Sequence, residues 1–454
     1  MENPVKKNQK YIVDIIDNGA NGEGIAKIND FTIFIPKTIK GEKCEILIVK
    51  VLSSHAFGKL LSIIKSAEER VVPDCNTYNR CGGCELRHMT YEKTLELKKH
   101  SVQNLINKSL NNKIKVSEIL GMEEPFHYRN KAIYPIGLNS KGEPDFGVFA
   151  KMSHTIIPIE KCFIQTQVSQ EIARVILEFI RKNNISVYNE QTQKGVFRHF
   201  IVKVGKKTGQ IMCIIVINEK GFAKEKELVS FLLNRFPEIT TIVKNINNKN
   251  TNVIMGKENE ILYGDGFIED ILGEYTFKIS PMSFYQVNPV QAEKLYNTAI
   301  EMTDLNKEDI LFDLYCGIGT IGIFASKYVS KVYGIEIVPD AIKDAEENTK
   351  INSIQNIDFI VGDVEEAFDN LINKNKVEPT AIIVDPPRKG LDNKTIENVL
   401  KIKPQKITYI SCNPATMVRD LKKLEEKYEI KEIKAVDMFP YTSHVECVTV
   451  LYLK

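Results

Sequence analysis

Beyond about residue 281, short runs of apolar, largely β-branched residues alternate with stretches of helical spacing, and this alternation restricts the fold more than any other feature of the chain. Parallel strands need long crossovers, and the helices that make them cover both faces of the sheet, so the pattern predicts a doubly wound α/β sheet. Sheets of this kind bind ligands in the crevice at the carboxyl ends of their strands. Chemistry is therefore sought at those ends first.

The run 310–314 enters Tyr315-Cys316-Gly317-Ile318-Gly319-Thr320, a glycine turn that lets the backbone approach a ligand closely. The next apolar run, 331–335, ends in Glu336, nineteen residues after Gly317, where an acid can accept from ribose hydroxyls. A third run, 358–361, ends at Gly362-Asp363, a position suited to the adenine amino group. The pattern lacks the third glycine of a dinucleotide fingerprint and the lysine of a phosphate-binding loop, which argues against hydride and phosphoryl transfer. The turn alone leaves another nucleotide, or structural coincidence, open.

A fourth run, 381–384, delivers Asp385-Pro386-Pro387-Arg388-Lys389-Gly390, in which two prolines stiffen the turn that carries Asp385. A fifth, 406–410, delivers Ser411-Cys412-Asn413-Pro414. A lone cysteine is usually a buried structural thiol, but Cys412 falls just past a strand end. Glu446 opens an otherwise apolar final strand, where a carboxylate needs a partner or a task. One reaction joins these groups. Carbon 5 of uracil is too weak a nucleophile to take a methyl group from a sulfonium; a thiolate adding at carbon 6 makes it an enolate carbon. Cysteine suits the addition, and Glu446 fits the base that then removes the carbon-5 proton.

The rest of the chain divides before this sheet. Residues 1–65 alternate short β-rich runs with glycine turns, which predicts a small barrel, and ten lysines against seven acids give it a face that RNA can use as readily as solvent can. Residues 66–280 read as a mixed α/β middle domain, with a helical stretch over 90–110, and residues 281–454 as the doubly wound domain. A formal net charge of +2 over 454 residues confines any RNA binding to local patches. His127-Tyr128-Arg129-Asn130-Lys131 and Gly195-Val196-Phe197-Arg198-His199, which mix bases with aromatics, are candidates, with ordinary strand residues the equal alternative. No apolar run reaches the length of a membrane span and the first ten residues carry no secretory signal, so a cytoplasmic protein without a membrane is expected.

Nine cysteines in such a chain are not expected to form a disulfide framework. Cys75, Cys81 and Cys84 have the spacing Cys-x5-Cys-x2-Cys, Gly82 and Gly83 allow a tight wrap, and Cys162 is the candidate remote fourth ligand. The spacing is compatible with an iron–sulfur cubane, with structural zinc, and with free thiols.

Taken together the chain resembles the bacterial RNA uracil-5 methyltransferases, specifically the ribosomal-RNA branch with an N-terminal TRAM domain and an iron–sulfur cluster. Ser283-Phe284-Tyr285-Gln286-Val287-Asn288, Asp313-Leu314-Tyr315-Cys316-Gly317-Ile318-Gly319, Asp385-Pro386-Pro387-Arg388, Ser411-Cys412-Asn413-Pro414 and His444-Val445-Glu446-Cys447 carry the likeness, which extends over nearly the whole chain. It implies a Rossmann-like methyltransferase domain with a seven-stranded, mostly parallel sheet, an OB-like N-terminal barrel and a mixed α/β centre. It implies Cys412 as nucleophile and Glu446 as base. It implies further that Gln286, Tyr315, Glu336, Asp363 and Asp385 line the pocket for S-adenosylmethionine and the uracil. Cys75, Cys81, Cys84 and Cys162 would hold a [4Fe–4S] cluster with a structural or RNA-positioning role, because four thiolates leave no iron open for radical chemistry. Thr320 stands where some relatives carry Asn and is left out of the site. The implied substrate is an unpaired uridine of 23S ribosomal RNA, flipped into the pocket, with no obligate protein partner. A transfer-RNA T-loop uridine is the alternative substrate, the barrel and the cysteines being expected to tell against it. A non-catalytic iron–sulfur RNA-binding protein is the alternative class.

Overall fold

The computed structural model describes residues 3–110, 114–374 and 376–454. Six strands between Lys10 and Lys65 form one sheet, in which Lys43–Val51 pairs with both Lys10–Asp14 and His55–Lys65. Contact between Lys10–Asp14 and Gly24–Ile28 closes it into a barrel. The period-two rule of strands explains its filling: Cys44, Ile46 and Ile48 point inward and are buried, while Lys43, Glu45 and Leu47, which alternate with them, are more exposed.

The middle of the chain builds a seven-stranded sheet from Lys131–Leu138 to Glu258–Tyr263, antiparallel except where Ile211–Ile217 and Ile239–Ile246 are joined in parallel through the helix Glu225–Arg235. Ile211–Ile217 is buried throughout because helices cover one face and the next domain covers the other. A hairpin, Ile268–Leu272 with Tyr275–Ile279, lies in that second core against the helix Pro289–Thr303.

The C-terminal region forms the expected seven strands, and an eighth is added from the middle of the chain. The order runs Ile357–Val361, Lys331–Glu336, Ile310–Leu314, Ala381–Val384, Lys406–Ser411, Glu446–Leu453, Tyr428–Val436 and finally Lys115–Leu120. The first five are parallel and Glu446–Leu453 runs against them. The chain reverses its direction of travel across the sheet between Ile310–Leu314 and Ala381–Val384, which opens the binding crevice there. The helix Tyr91–Ser109 packs on this sheet through Val102 and Ile106. Among the described residues no helix is long and apolar enough to cross a membrane.

Candidate active site at the carboxyl edge of the sheet

Each strand end brings one element of a pocket. After Ile310–Leu314 the backbone enters the left-handed region at Tyr315 (φ 66°), Gly317 (φ 56°) and Gly319 (φ 79°). Tyr315 is a bulky residue in a conformation that costs about 1–3 kcal/mol and is held only by its surroundings. Gly317 has nothing within 4 Å of where a side chain would begin, so the turn faces open space. Its N–H donates to Glu336 Oε2 at 3.2 Å, and Glu336 Oε1 accepts from Val338 N–H at 2.9 Å. Glu336 is thereby fixed at the mouth of the crevice with lone pairs to spare. Asp363 is exposed and caps the helix Val364–Asp369, one oxygen accepting from Glu365 N–H at 2.9 Å. Its second oxygen remains for a ligand.

The turns after the fourth and fifth strands are stapled together. Asn413 Oδ1 accepts from Ala415 N–H at 3.2 Å, capping the helix Pro414–Leu424, while its Nδ2 donates to the carbonyl of Arg388 at 3.0 Å. The Asn that follows Cys412 therefore holds the cysteine turn against the Asp385-Pro386-Pro387-Arg388 turn. Cys412 is half-buried, and its thiol is pushed up to about 11 by burial, then by Glu446 and Asp385, with Arg388 opposing. Glu446 is 3% exposed and is pushed up to about 8 by burial and by Asp385, again against Arg388. Burial raises Asp385 to about 6. Thiol, two carboxylates and one guanidinium thus share a field, and the groups singled out from sequence are brought together.

Gln286 comes from a loop that the middle domain holds in place. Asn130 Nδ2 donates to the Gln286 carbonyl at 3.0 Å and Asn130 N–H to the Val287 carbonyl at 2.8 Å. Lys203, buried and lowered to about 7 by burial and then by Lys131, donates to the carbonyls of Ser280 at 2.8 Å and Ser283 at 3.2 Å. Two site residues escaped the sequence reading. Tyr296, buried in the helix Pro289–Thr303, hydrogen-bonds Gln286 and lies in the field of Asp385, Glu446 and Asp313. Asp313 is fully buried; Oδ2 accepts from Gly322 N–H at 2.8 Å and Oδ1 has no partner among the described residues. Burial raises it to about 8. An acid inside the apolar run 310–314 was the available signal for Asp313; Tyr296 gave none.

Cys75, Cys81, Cys84 and Cys162 are free, half-buried, and line one cavity of about 650 Å³. Gly82 backs onto Lys151, whose Cα a Cβ there would meet at 3.0 Å, so the glycine is what lets the loop lie against the strand end. Among the described residues no group of three or more His, Cys, Asp or Glu is tight enough to hold a single metal ion. A cubane presents each thiolate with a different iron and so spreads its ligands more widely than one ion does. The all-sulfur donor set and the open cavity fit the larger group. Arg87, 4% exposed, binds this region to the catalytic hairpin: it grips Asp74 through Nε (2.5 Å) and Nη2 (2.9 Å), and its guanidinium lies over Phe163 (4.6 Å) and Tyr441 (4.7 Å).

The two basic–aromatic segments are divided between core and cavity wall: Arg129 and Lys131 are half-buried and line the cysteine cavity, while other members are buried. Tyr128 is 2% exposed with its hydroxyl donating to the Pro440 carbonyl at 3.1 Å, and Phe197 is in the core. Arg198 is buried over the Tyr188 ring at 4.2 Å. Phe197 and Arg198 lie on a strand that is covered on both sides.

A family model described as tRNA (Uracil-5-)-methyltransferase matches residues 90–454, and a TRAM domain model matches residues 4–61. An uncharacterized RNA methyltransferase of Clostridium tetani is 43% identical over 449 residues, spanning 99% of this chain and 97% of the relative. One from Staphylococcus aureus strain MSSA476 is 43% identical over 451 residues, spanning 99% of both. The Pyrococcus abyssi tRNA (uracil-54, C5)-methyltransferase in complex with S-adenosyl-L-homocysteine superposes with a TM-score of 0.78 at 28% identity, over 97% of this chain and 99% of that one. At that coverage the barrel has a counterpart in a transfer-RNA enzyme, so the expectation that the barrel discriminates against transfer RNA does not hold.

Proposed function

The chain belongs to the tRNA (uracil-5-)-methyltransferase family, and on that premise we propose that it methylates carbon 5 of a uridine in 23S ribosomal RNA, with Cys412 as nucleophile and Glu446 as base. The observation that carries the chemistry is the shared field of Cys412, Glu446, Asp385 and Arg388 at two adjoining strand ends. S-adenosylmethionine supplies a methyl group on a sulfonium, from which carbon 5 takes it. The Cys412 thiol loses its proton to solvent before the uracil is seated, Arg388 favouring the thiolate, and the thiolate adds to carbon 6; an S–C bond forms and the ring's electron pair moves to carbon 5. After transfer, Glu446 removes the carbon-5 proton. The ring double bond then re-forms as the S–C bond breaks, and Cys412 leaves as thiolate. Gln286, Tyr315, Glu336, Asp363 and Asp385 are the residues proposed to bind the donor and the uracil, and Glu446 is buried beside the reacting thiol.

Cys75, Cys81, Cys84 and Cys162 are proposed to hold a [4Fe–4S] cluster with a structural or RNA-positioning role. The likeness of this cysteine pattern to the ribosomal-RNA branch supports the ribosomal substrate. A second reading, a transfer-RNA T-loop uridine, is favoured by the likeness to the Pyrococcus abyssi enzyme. Mapping 5-methyluridine in ribosomal and transfer RNA from a strain lacking the gene separates them. Loss of a ribosomal 5-methyluridine, restored by the wild-type gene and not by Cys412→Ala, is expected. Loss confined to transfer RNA would assign the substrate to the second reading.

A further inference from the structure

A second cleft, of about 560 Å³, opens where the barrel, the cysteine loop and the hairpin before Glu446 meet. Lys37 comes from the barrel, Arg80 from the cysteine loop and Lys151 from the middle domain. Lys37 is fixed by Asn79, whose Oδ1 accepts from Nζ at 2.9 Å, and stands 5.0 Å from the Tyr78 ring centre. Burial and the nearby Lys151 lower its pKa, so two like charges have been brought together. Lys151 has one distant carboxylate, Glu85 at 3.8 Å. The exposed Arg80 guanidinium has no hydrogen bond or ion pair among the described residues. Glu23, the other acid in the cleft, is turned into its own loop, Oε1 accepting from Asn21 Nδ2 at 3.4 Å. Three cations that share one cleft with two acids, one of them turned into its own loop, are stabilised by an anion from outside.

Beside these cations the barrel presents half-buried rings. Phe34 and Phe57 line the cleft with centroids 5.9 Å apart, and His55 packs edge-on against both at 5.4 and 5.2 Å. Flat rings next to cations match a nucleotide, whose base stacks while its phosphate is neutralised. The cleft reaches the loop that leads into Glu446, whose Ser443 and His444 line it. We propose that this cleft is a nucleotide subsite that takes an unstacked base and its phosphate from the RNA strand next to the target uridine. The inference rests on the chain acting on RNA, and it assigns Lys37, Arg80 and Lys151 to phosphate and Phe34 and Phe57 to the base.

The test is binding of a short fluorescein-labelled oligouridylate by the full chain, followed by anisotropy over a series of salt concentrations. Lys37→Ala with Arg80→Ala should weaken binding and flatten the salt dependence by about 0.7 in log–log slope per lost phosphate contact. Phe34→Leu with Phe57→Leu should weaken it about tenfold with the slope unchanged. Arg80→Ala alone guards against misfolding, since that side chain is exposed and supports nothing around it. Wild-type affinity and slope in the charge variants would overturn the subsite. Loss of binding in the charge variants with none in the aromatic pair would reduce it to a plain polyanion contact and overturn the base-stacking assignment. S-adenosylmethionine-dependent methylation of bulk RNA by the same wild-type preparation reads the underlying reading separately: methylation that persists while the variants bind normally sinks the subsite alone.

Discussion

Cys412 stands between two carboxylates that oppose its ionisation and one guanidinium that favours it. In its proposed role as base, Glu446 must be unprotonated to take the carbon-5 proton. With its carboxyl raised to about 8 it is largely protonated below that pH, so methylation should fall as pH drops through about 8. Arg388 lowers both Glu446 and Cys412. Replacing it by Met should therefore move the rising limb of kcat/KM against pH to higher pH, and a limb unmoved or shifted downward would show that Arg388 does not act on these groups. Glu446→Gln removes the base and also relieves the thiol of a negative neighbour. It should accumulate an enzyme–RNA adduct that survives a denaturing gel while turnover falls by about 10²–10⁴-fold; normal turnover without adduct would place the base elsewhere. Cys412, Glu446 and Asp385 were legible in the sequence because a polar residue at the end of an apolar strand must face the crevice. Tyr296 was not, since a tyrosine within the amphipathic stretch 289–303 looks like core until the loop carrying Gln286 folds over it.

The hairpin that ends in Glu446 is positioned by elements far away in the chain. Lys98, in the helix Tyr91–Ser109, meets Asp437 at 2.5 Å with both side chains fully buried, and also donates to the Phe439 carbonyl at 3.0 Å. Tyr91 donates to the other Asp437 oxygen at 2.7 Å, and Leu86 N–H to the Tyr441 carbonyl at 2.9 Å. Lys98→Met leaves a buried carboxylate without its counter-charge, which costs about 3–5 kcal/mol. A lower Tm with reduced kcat is the expected result, and an unchanged Tm would mean the ion pair does not hold the hairpin. The helix was readable from its spacing. The strand Lys115–Leu120 was not assigned to that sheet, because its partner Tyr428–Val436 lies far along the chain and local alternation says nothing of pairing. Which members of the segments around Tyr128 and Phe197 are buried was not readable for a related reason: a mixture of basic and aromatic residues has the same appearance whether it is covered or exposed.

At the scale of the molecule, three sheets meet around the cysteine cavity and the crevice, and Arg87 touches both sides. It binds Asp74 beside Cys75, stacks on Phe163 beside Cys162, and stacks on Tyr441 in the catalytic hairpin. Protein purified without oxygen is expected to carry about four iron atoms per chain. Cys84→Ser should lose the iron and lower Tm, whereas full iron content in that variant would remove Cys84 from the ligand set. The family and the domain order could be read because the strand-end motifs are local. The cavity and the cleft beside it could not, since each is assembled from segments that only the folded chain brings together. The most direct measurement is methyl transfer from labelled S-adenosylmethionine into unmodified 23S ribosomal RNA by the wild type and by Cys412→Ala. Incorporation at uracil carbon 5 by the wild type, and none above background by the variant at equal donor binding, is the predicted result. A variant that methylates at a comparable rate would contradict covalent catalysis through this thiol.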